Sequence, residues 1–260
     1  MRRLIPILAL CIAVPLGAGI ARGETVQVGK LRVFFGGRIA PHSLPRDRDV
    51  PVRVTLNGRV RTTDGSRPPQ LRRMSFAVNR YGRLSALGLP ACSSGQLEAT
   101  DSRLALQRCG GALVGRGRFG ANLESPNLEP FPVVGRMLAF NARERGRSAI
   151  LLHIHASNPI EATVVLTFKI SHRPRGKFGT VLTTRIPRVA GDLGYVTDVS
   201  LSFGRKYRHR GEQRSFLSAR CAAPAGFPGA LFTFARGTFD FAGGKRVKTS
   251  LTRDCLVRRG

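Results

Sequence analysis

Hydrophobic and polar residues alternate along much of this chain, which predicts β-strands. From Ala162 to Ile170 the even positions are apolar, and most residues between them are polar or charged. The same alternation recurs from Tyr195 to Phe203 and from Val247 to Val257. Further strands are predicted at 72–79, 134–141, 149–156, 178–186 and 230–241, separated by turns rich in Gly, Pro and Arg.

The dipeptide Asn57-Gly58 has the composition of a two-residue hairpin turn, but the flanking pattern disfavours a hairpin. Such a turn would pair Leu56 with Arg59 and place arginines on the apolar face. One continuous strand over about 50 to 62 instead keeps the apolar residues Val52, Val54, Leu56 and Val60 together, with Gly58 at a bulge or close approach.

One short helix is predicted near 101–109, with Thr100 or Asp101 as its N-cap. All other periodic segments indicate strands. We therefore expect an all-β protein, an antiparallel β-sandwich or two related sandwich units.

A faint internal repeat suggests the two units. Ser75, Cys92 and Phe119 recur in order and at similar offsets as Ser200, Cys221 and Phe239. The alternative is coincidence in a biased composition. Under the repeat, residues 24–124 form one β unit, 125–132 a proline-rich joint and 133–260 a second β unit.

Residues 1–23 have the pattern of a cleaved signal peptide: a basic start, an apolar core from Leu4 to Ile20, and a small-x-small ending. A membrane anchor needs about 20 apolar residues, whereas this run is shorter and is interrupted by Pro6 and Pro15. We expect a secreted, extracytoplasmic protein with no transmembrane segment after cleavage.

Four cysteines remain after processing and allow three disulfide pairings. Nearest neighbours would join Cys92 to Cys109 and Cys221 to Cys255, which we favour because each β unit then has its own disulfide. A catalytic or metal-binding thiol set is the alternative, but no Cys-x-x-Cys spacing occurs.

The chain is strongly basic, with 43 Lys and Arg against 15 Asp and Glu and a net charge of +28. Such a charge attracts polyanions, and for an exported protein these are anionic cell-wall polymers or other extracellular polyanions. Nucleic acid is disfavoured, because Trp is absent and no RNA-binding motif occurs. A bias from GC-rich codons would also enrich arginine, and the basic residues are spread along the whole chain.

Candidate chemistry is sparse. His153 and His155 lie two apart on a predicted strand, on the face of Leu151, and are the candidates for metal ligands, although a tetrahedral site needs a further ligand. The Gly-x-Gly-x-x-Gly match at 115–120 precedes three prolines and so lacks the helix of a dinucleotide site. We assign no catalytic or cofactor-binding residue and expect no cofactor.

Three carboxylate pairs could serve a glycosidase if the fold faced one pair across a cleft: Asp47 with Asp49, Asp192 with Asp198, and Glu124 with Glu129. Surface ion pairs with the abundant arginines are the simpler interpretation. A glycan-binding protein would usually stack sugars on Trp or Tyr, and only three Tyr are present.

Four segments, 137–141, 191–197, 221–230 and 250–255, resemble exported β-rich proteins of high-GC bacteria that have no assigned activity. The resemblance spans most of the mature chain and implies export and a β-rich body. The sequence thus favours a secreted, disulfide-bonded cationic β protein with a non-enzymatic binding or structural role at the cell envelope. A glycan-binding or glycan-hydrolysing β-sandwich is the alternative.

Overall fold

A computed structural model describes residues 24–125, 128–159, 161–187 and 194–258. The predicted signal peptide therefore lies outside the described residues. The described chain is mostly β-strand with one short α-helix, which confirms the all-β class. Within these ranges no helix is long and apolar enough to span a membrane.

Along the described sequence, strands both precede and follow the single α-helix. The first strands are β1 (Glu24–Val28), β2 (Leu31–Ala40), β3 (Ser43–Leu44), β4 (Val50–Pro51), β5 (Arg53–Thr62), β6 (Leu71–Asn79) and β7 (Gly82–Leu84). Helix α1 (Ser102–Cys109) is followed by β8 (Leu113–Ser125), β9 (Leu128–Glu144), β10 (Arg147–Ala156), β11 (Ala162–His172) and β12 (Phe178–Arg185). The last strands are β13 (Gly194–Phe203), β14 (Lys206–His209), β15 (Glu212–Ser215), β16 (Leu217–Ala219), β17 (Gly229–Phe241) and β18 (Arg246–Val257).

Every strand predicted from alternation is present within a few residues of its predicted bounds. Asn57 and Gly58 lie inside β5, so the prediction that no hairpin forms there is confirmed. Gly58 is indeed at a close approach, because a Cβ there would lie 2.9 Å from a methyl carbon of Val199 on the neighbouring strand.

Thirteen of these strands form one curled sheet, in the order β1-β2-β5-β13-β8-β9-β10-β11-β12-β6-β17-β18-β3. The ends of this sheet meet, since a carboxylate oxygen of Glu24 on β1 accepts a 3.0 Å hydrogen bond from the backbone N–H of Ser250 on β18. Two small sheets, β14-β15 and β4-β16-β7, complete the strands. The predicted sandwich is not confirmed.

The two halves of the chain exchange one strand each. Strand β13 lies between β5 and β8, and β6 lies between β12 and β17. The two copies of the sequence repeat pair their strands in the same register. Ser200 is opposite Arg118, and the equivalent Ser75 is opposite Thr238, which occupies the position equivalent to Arg118. The two predicted units thus share one sheet, and their division into domains remains a prediction.

The inside of the curled sheet is filled by two apolar clusters. One centres on Phe35 and Leu251, the other on Ile150 and Leu166, and Phe76 touches both. Full burial of such side chains contributes about 1.5–3 kcal/mol each. The sheet therefore has a continuous core.

Both predicted disulfides are present, Cys92–Cys109 and Cys221–Cys255. The first ties α1 and its preceding loop to the outer face of β9 and β10, over Phe140 and Leu151. The predicted helix is also correct, with the Asp101 side chain accepting a 2.6 Å hydrogen bond from the backbone N–H of Leu104.

Candidate anion-binding face

Strand β8 alternates between arginines that point outward and small or aromatic residues that point into the core. Arg116 and Arg118 are exposed, whereas Phe119 packs against the inner cluster. Between the arginines is Gly117, where a Cβ would overlap the carbonyl oxygen of Ser200 on β13. Because glycine has no side chain, β8 and β13 can approach closely at this point. The close approach fixes the backbone that carries both arginines.

Two arginines face each other across neighbouring strands. Arg118 on β8 is directly opposite Arg136 on β9, and Arg136 is opposite His155 on β10. Arg116, Arg118 and Arg136 are all exposed, and none forms a hydrogen bond or ion pair with the described residues. Like charges at opposite positions destabilise a sheet, so this arrangement is locally unfavourable in the free protein.

On the other side of Arg118 the row continues with polar residues. Ser200 on β13 is opposite Arg118, and Asn57 on β5 is opposite Ser200. A second row runs beside it, in which Arg116 is opposite Ser202. We call this outer surface the arginine face, and we define it by the exposed residues Arg38, Arg59, Arg61, Arg116, Arg118 and Arg136 with the polar residues between them.

The acidic residues are mostly engaged elsewhere. Lys30 pairs with Asp64 at 2.8 Å, and this ammonium group is the main cause that lowers the pKa of the Asp64 carboxyl far below its usual value. Asp240 pairs with Arg246 at 2.5 Å on the far side of the sheet order. On the arginine face the described carboxylate is Asp198, which is opposite Arg59.

His153 and His155 share one face of β10 with Leu151, as predicted, but the structure places them beneath the loop before α1. His153 is fully buried, and its Nε2 donates a 2.9 Å hydrogen bond to the carbonyl of Thr100. His155 Nδ1 contacts Thr163 Oγ1 at 3.0 Å, and that hydroxyl donates to the same carbonyl at 2.8 Å. The pair thus fastens the loop to the sheet.

As metal ligands the two histidines have limited support. Their rings are nearly parallel, with centroids 6.2 Å apart. No third His, Cys, Asp or Glu joins them among the residues that the structure covers. The metal hypothesis remains a prediction, and the observed contacts assign the pair a structural role.

The burial of His153 gives a testable pH dependence. Desolvation, more than repulsion from His155, lowers the pKa of His153 below its ordinary value of 6.5, and its Nδ1 has no partner in the described structure. Below about pH 6.5 the His153 imidazole binds a proton more readily in the unfolded chain than in the folded one. The free energy of unfolding should therefore fall as the pH drops below that value.

Urea unfolding of the wild type and of His153→Gln between pH 7.5 and 5 checks this prediction. The wild type should lose more stability over this range than the variant, in which the amide can still donate to Thr100. Equal losses in the two proteins would contradict it.

Among the described residues, one member of each of two carboxylate pairs considered for a glycosidase forms an ion pair with an arginine. Asp49 pairs with Arg83 at 2.8 Å, and Glu124 pairs with Arg67 at 2.7 Å. Asp192 lies outside the described residues. Asp49 and Glu124 thus form the ion pairs with arginine that the sequence suggested as the simpler interpretation.

The Gly-x-Gly-x-x-Gly match at 115–120 lies within strand β8. Arg116, Arg118 and Arg136 were not predicted as site residues from the sequence. The alternation in Arg116–Phe119 could have indicated outward arginines, but the approach of Arg136 depends on the register of β8 and β9.

Comparison with known proteins gives no match: no protein-family model fits the chain, and no curated protein or solved structure matches it. The function of the face is therefore inferred from its own geometry and charge.

Proposed function

We propose that this protein is an exported, disulfide-bonded binding protein that holds anionic polymers of the cell envelope on its arginine face, without catalysis. The observation that supports this most is the opposition of Arg118 and Arg136 in a row that has no carboxylate among the described residues. An anionic ligand would relieve the repulsion that the free protein retains.

Arginine suits this task. Its guanidinium group remains charged at every physiological pH and presents a planar set of donors that matches phosphate and carboxylate groups. Exposed arginines on a sheet also extend from fixed backbone positions on one surface, so a polymer can contact several of them at once. Two disulfides in a β-rich body fit an oxidising, extracytoplasmic location.

The glycan-binding alternative gains little from the tyrosines. The phenol of Tyr207 donates a 2.8 Å hydrogen bond to the Leu87 carbonyl, and Arg220 covers the ring of Tyr81 at 5.4 Å from its centroid. The hydroxyl of Tyr195 accepts a hydrogen bond from Asn122. None of these contacts points to a sugar-stacking platform.

Binding to isolated Gram-positive cell walls tests the proposal. The mature protein should co-sediment with walls that keep their phosphate-rich polymer and should remain in solution with walls from which that polymer has been extracted. Equal sedimentation with both preparations would favour the neutral glycan as ligand and would contradict polyanion binding.

A further inference from the structure

Arg116, Arg118 and Arg136 lie close together on the arginine face, and none of them has a hydrogen-bond or ion-pair partner among the described residues. Side chains directly opposite on antiparallel strands have Cβ atoms about 4.5–5.5 Å apart. Arg118 and Arg136 are so placed, and Arg116 is two residues along the same strand, about 7 Å away. Three flexible, unpartnered guanidinium groups can therefore reach one point above the sheet.

The backbone beneath these side chains is tightly fixed. Gly117 lies against Ser200, and Gly135 beside Arg136 lies where a Cβ would overlap the carbonyl oxygen of His155. On its other side Arg136 is followed by the buried Met137. A preorganised backbone reduces the entropy lost when the arginines close around a ligand.

Two other arginine pairs on the outer face have polar or acidic neighbours. Arg61 is opposite Arg32, whose Nε donates a 2.9 Å hydrogen bond to Gln27. Arg185 is opposite Arg73, whose other neighbour in the row is Asp240, a carboxylate that also pairs with Arg246. Among the described residues, the row of Arg118 and Arg136 contains neither a carboxylate nor a hydrogen-bond partner for either arginine.

The internal repeat shows that the cluster is not a general feature of this sheet. At the positions equivalent to Arg116 and Arg118, β17 carries Arg236 and Thr238. Thr238 is neutral, and the guanidinium of Arg236 lies over the ring of Phe178, 4.8 Å from its centroid. The second half therefore lacks the cluster, and we expect one such site per chain.

We propose that Arg116, Arg118 and Arg136 form a discrete subsite for one phosphate group of an anionic polymer. This deepens the proposed function and rests on it. A tetrahedral phosphate offers oxygens in several directions and can accept from all three guanidinium groups, whereas a planar carboxylate can accept from one or two. Ser200, adjacent to Arg118, adds a hydroxyl donor at the edge of the subsite.

The phosphate has two possible sources, a soluble wall polymer and a phospholipid headgroup. The experiment therefore uses three probes: poly(glycerol phosphate), polygalacturonate as a carboxylate polymer of similar charge density, and vesicles with and without phosphatidylglycerol. Binding is measured by the anisotropy of a labelled polymer and by vesicle flotation, at a fixed low salt concentration.

The test variant is R116Q/R118Q/R136Q. The control variant R73Q/R143Q/R185Q removes the same charge from three exposed strand positions outside the arginine face. The test variant should bind poly(glycerol phosphate) at least about tenfold more weakly than the wild type, and the control variant within about threefold of it. Polygalacturonate should bind the wild type more weakly than poly(glycerol phosphate) does.

Folding is monitored by thermal unfolding of each free protein. Since the test variant removes a repulsive pair, its melting temperature should equal or exceed that of the wild type. A tenfold loss of binding together with a lower melting temperature in the test variant, restored by the lysine variant R116K/R118K/R136K, would still support the subsite. A loss of both binding and melting temperature that the lysine variant does not restore would overturn the subsite.

The failures of the two proposals are distinguishable. If the test and control variants lose binding equally, the charge acts as a diffuse field, and the subsite is wrong while polyanion binding stands. If the wild type binds none of the probes, both proposals fail. Flotation with phosphatidylglycerol vesicles but no binding to poly(glycerol phosphate) would keep the subsite and replace the wall polymer by a membrane surface.

Discussion

Replacement of both Cys221 and Cys255 by alanine should lower the free energy of unfolding by about 4 kcal/mol, because the disulfide closes a long loop in the unfolded chain. The two cysteines are 34 positions apart in the sequence. The bond joins the segment after β16 to the last long strand, over a cluster that includes Leu44 and Val52. Loss of the bond should therefore also loosen β18, where the sheet ends meet.

Urea denaturation of the oxidised double variant measures this effect. The matched comparison is the double alanine variant of Cys92 and Cys109. The Cys92–Cys109 disulfide closes a shorter loop, so its loss should lower the free energy of unfolding by about 3 kcal/mol. A Cys221/Cys255 variant as stable as the wild type would contradict the stabilising role of this bond. So would four free thiols in the native protein.

Gly117→Ala should destabilise the protein by about 3 kcal/mol, at the upper end of the cost of overpacking, since the added methyl group would overlap backbone. That carbon would meet the Ser200 carbonyl oxygen and come within 2.9 Å of the Leu201 Cα. Strands β8 and β13 would have to separate, and Arg116 and Arg118 would move with β8.

The control for this variant is Gly95→Ala, in a surface 3-10 turn. Nothing lies within 4 Å of a Cβ there, and its backbone angle does not require glycine. Such a change should be neutral or stabilise by about 0.4–1 kcal/mol, through the lower entropy of the unfolded chain. Thermal unfolding of both variants distinguishes the two sites, and a Gly117→Ala protein as stable as the Gly95→Ala protein would contradict the close strand approach.

Much of the fold follows from local patterns in the sequence. Apolar patterns located the long strands from β9 onwards, because most of them have one face in the core and one in solvent, whereas β10 is buried on both faces. Parity rejected the hairpin at Asn57-Gly58, and spacing favoured both disulfides. These features depend on residues close together in the sequence or on a simple count of alternatives.

Other features depend on distant pairings and were not predictable. Strand β2 was missed because Phe34, Gly36 and Gly37 interrupt its alternation. The exchange of β6 and β13 between the halves involves partners more than a hundred residues apart. A local pattern cannot specify such partners, and so it could not indicate that strands of both halves share one curled sheet.

The candidate site combines both cases. Arg116 and Arg118 follow from the alternation of β8, but their convergence with Arg136 requires the register of the β8–β9 pair. The absence of carboxylates from their row also depends on which strands pair with β8 and β9. Net charge alone predicted a polyanion partner and could not locate where it binds.

The salt dependence of the affinity for poly(glycerol phosphate) tests the central claim most directly. Counterions are released when arginines neutralise phosphates, so log K should fall linearly with log salt, with a slope of about −2 when the whole arginine face neutralises three phosphates of a flexible polymer, one of them in the subsite. We expect a slope of at least this magnitude for the wild type. An affinity that stays constant as the salt concentration rises, or no binding at the lowest salt concentration, would contradict polyanion binding by this face.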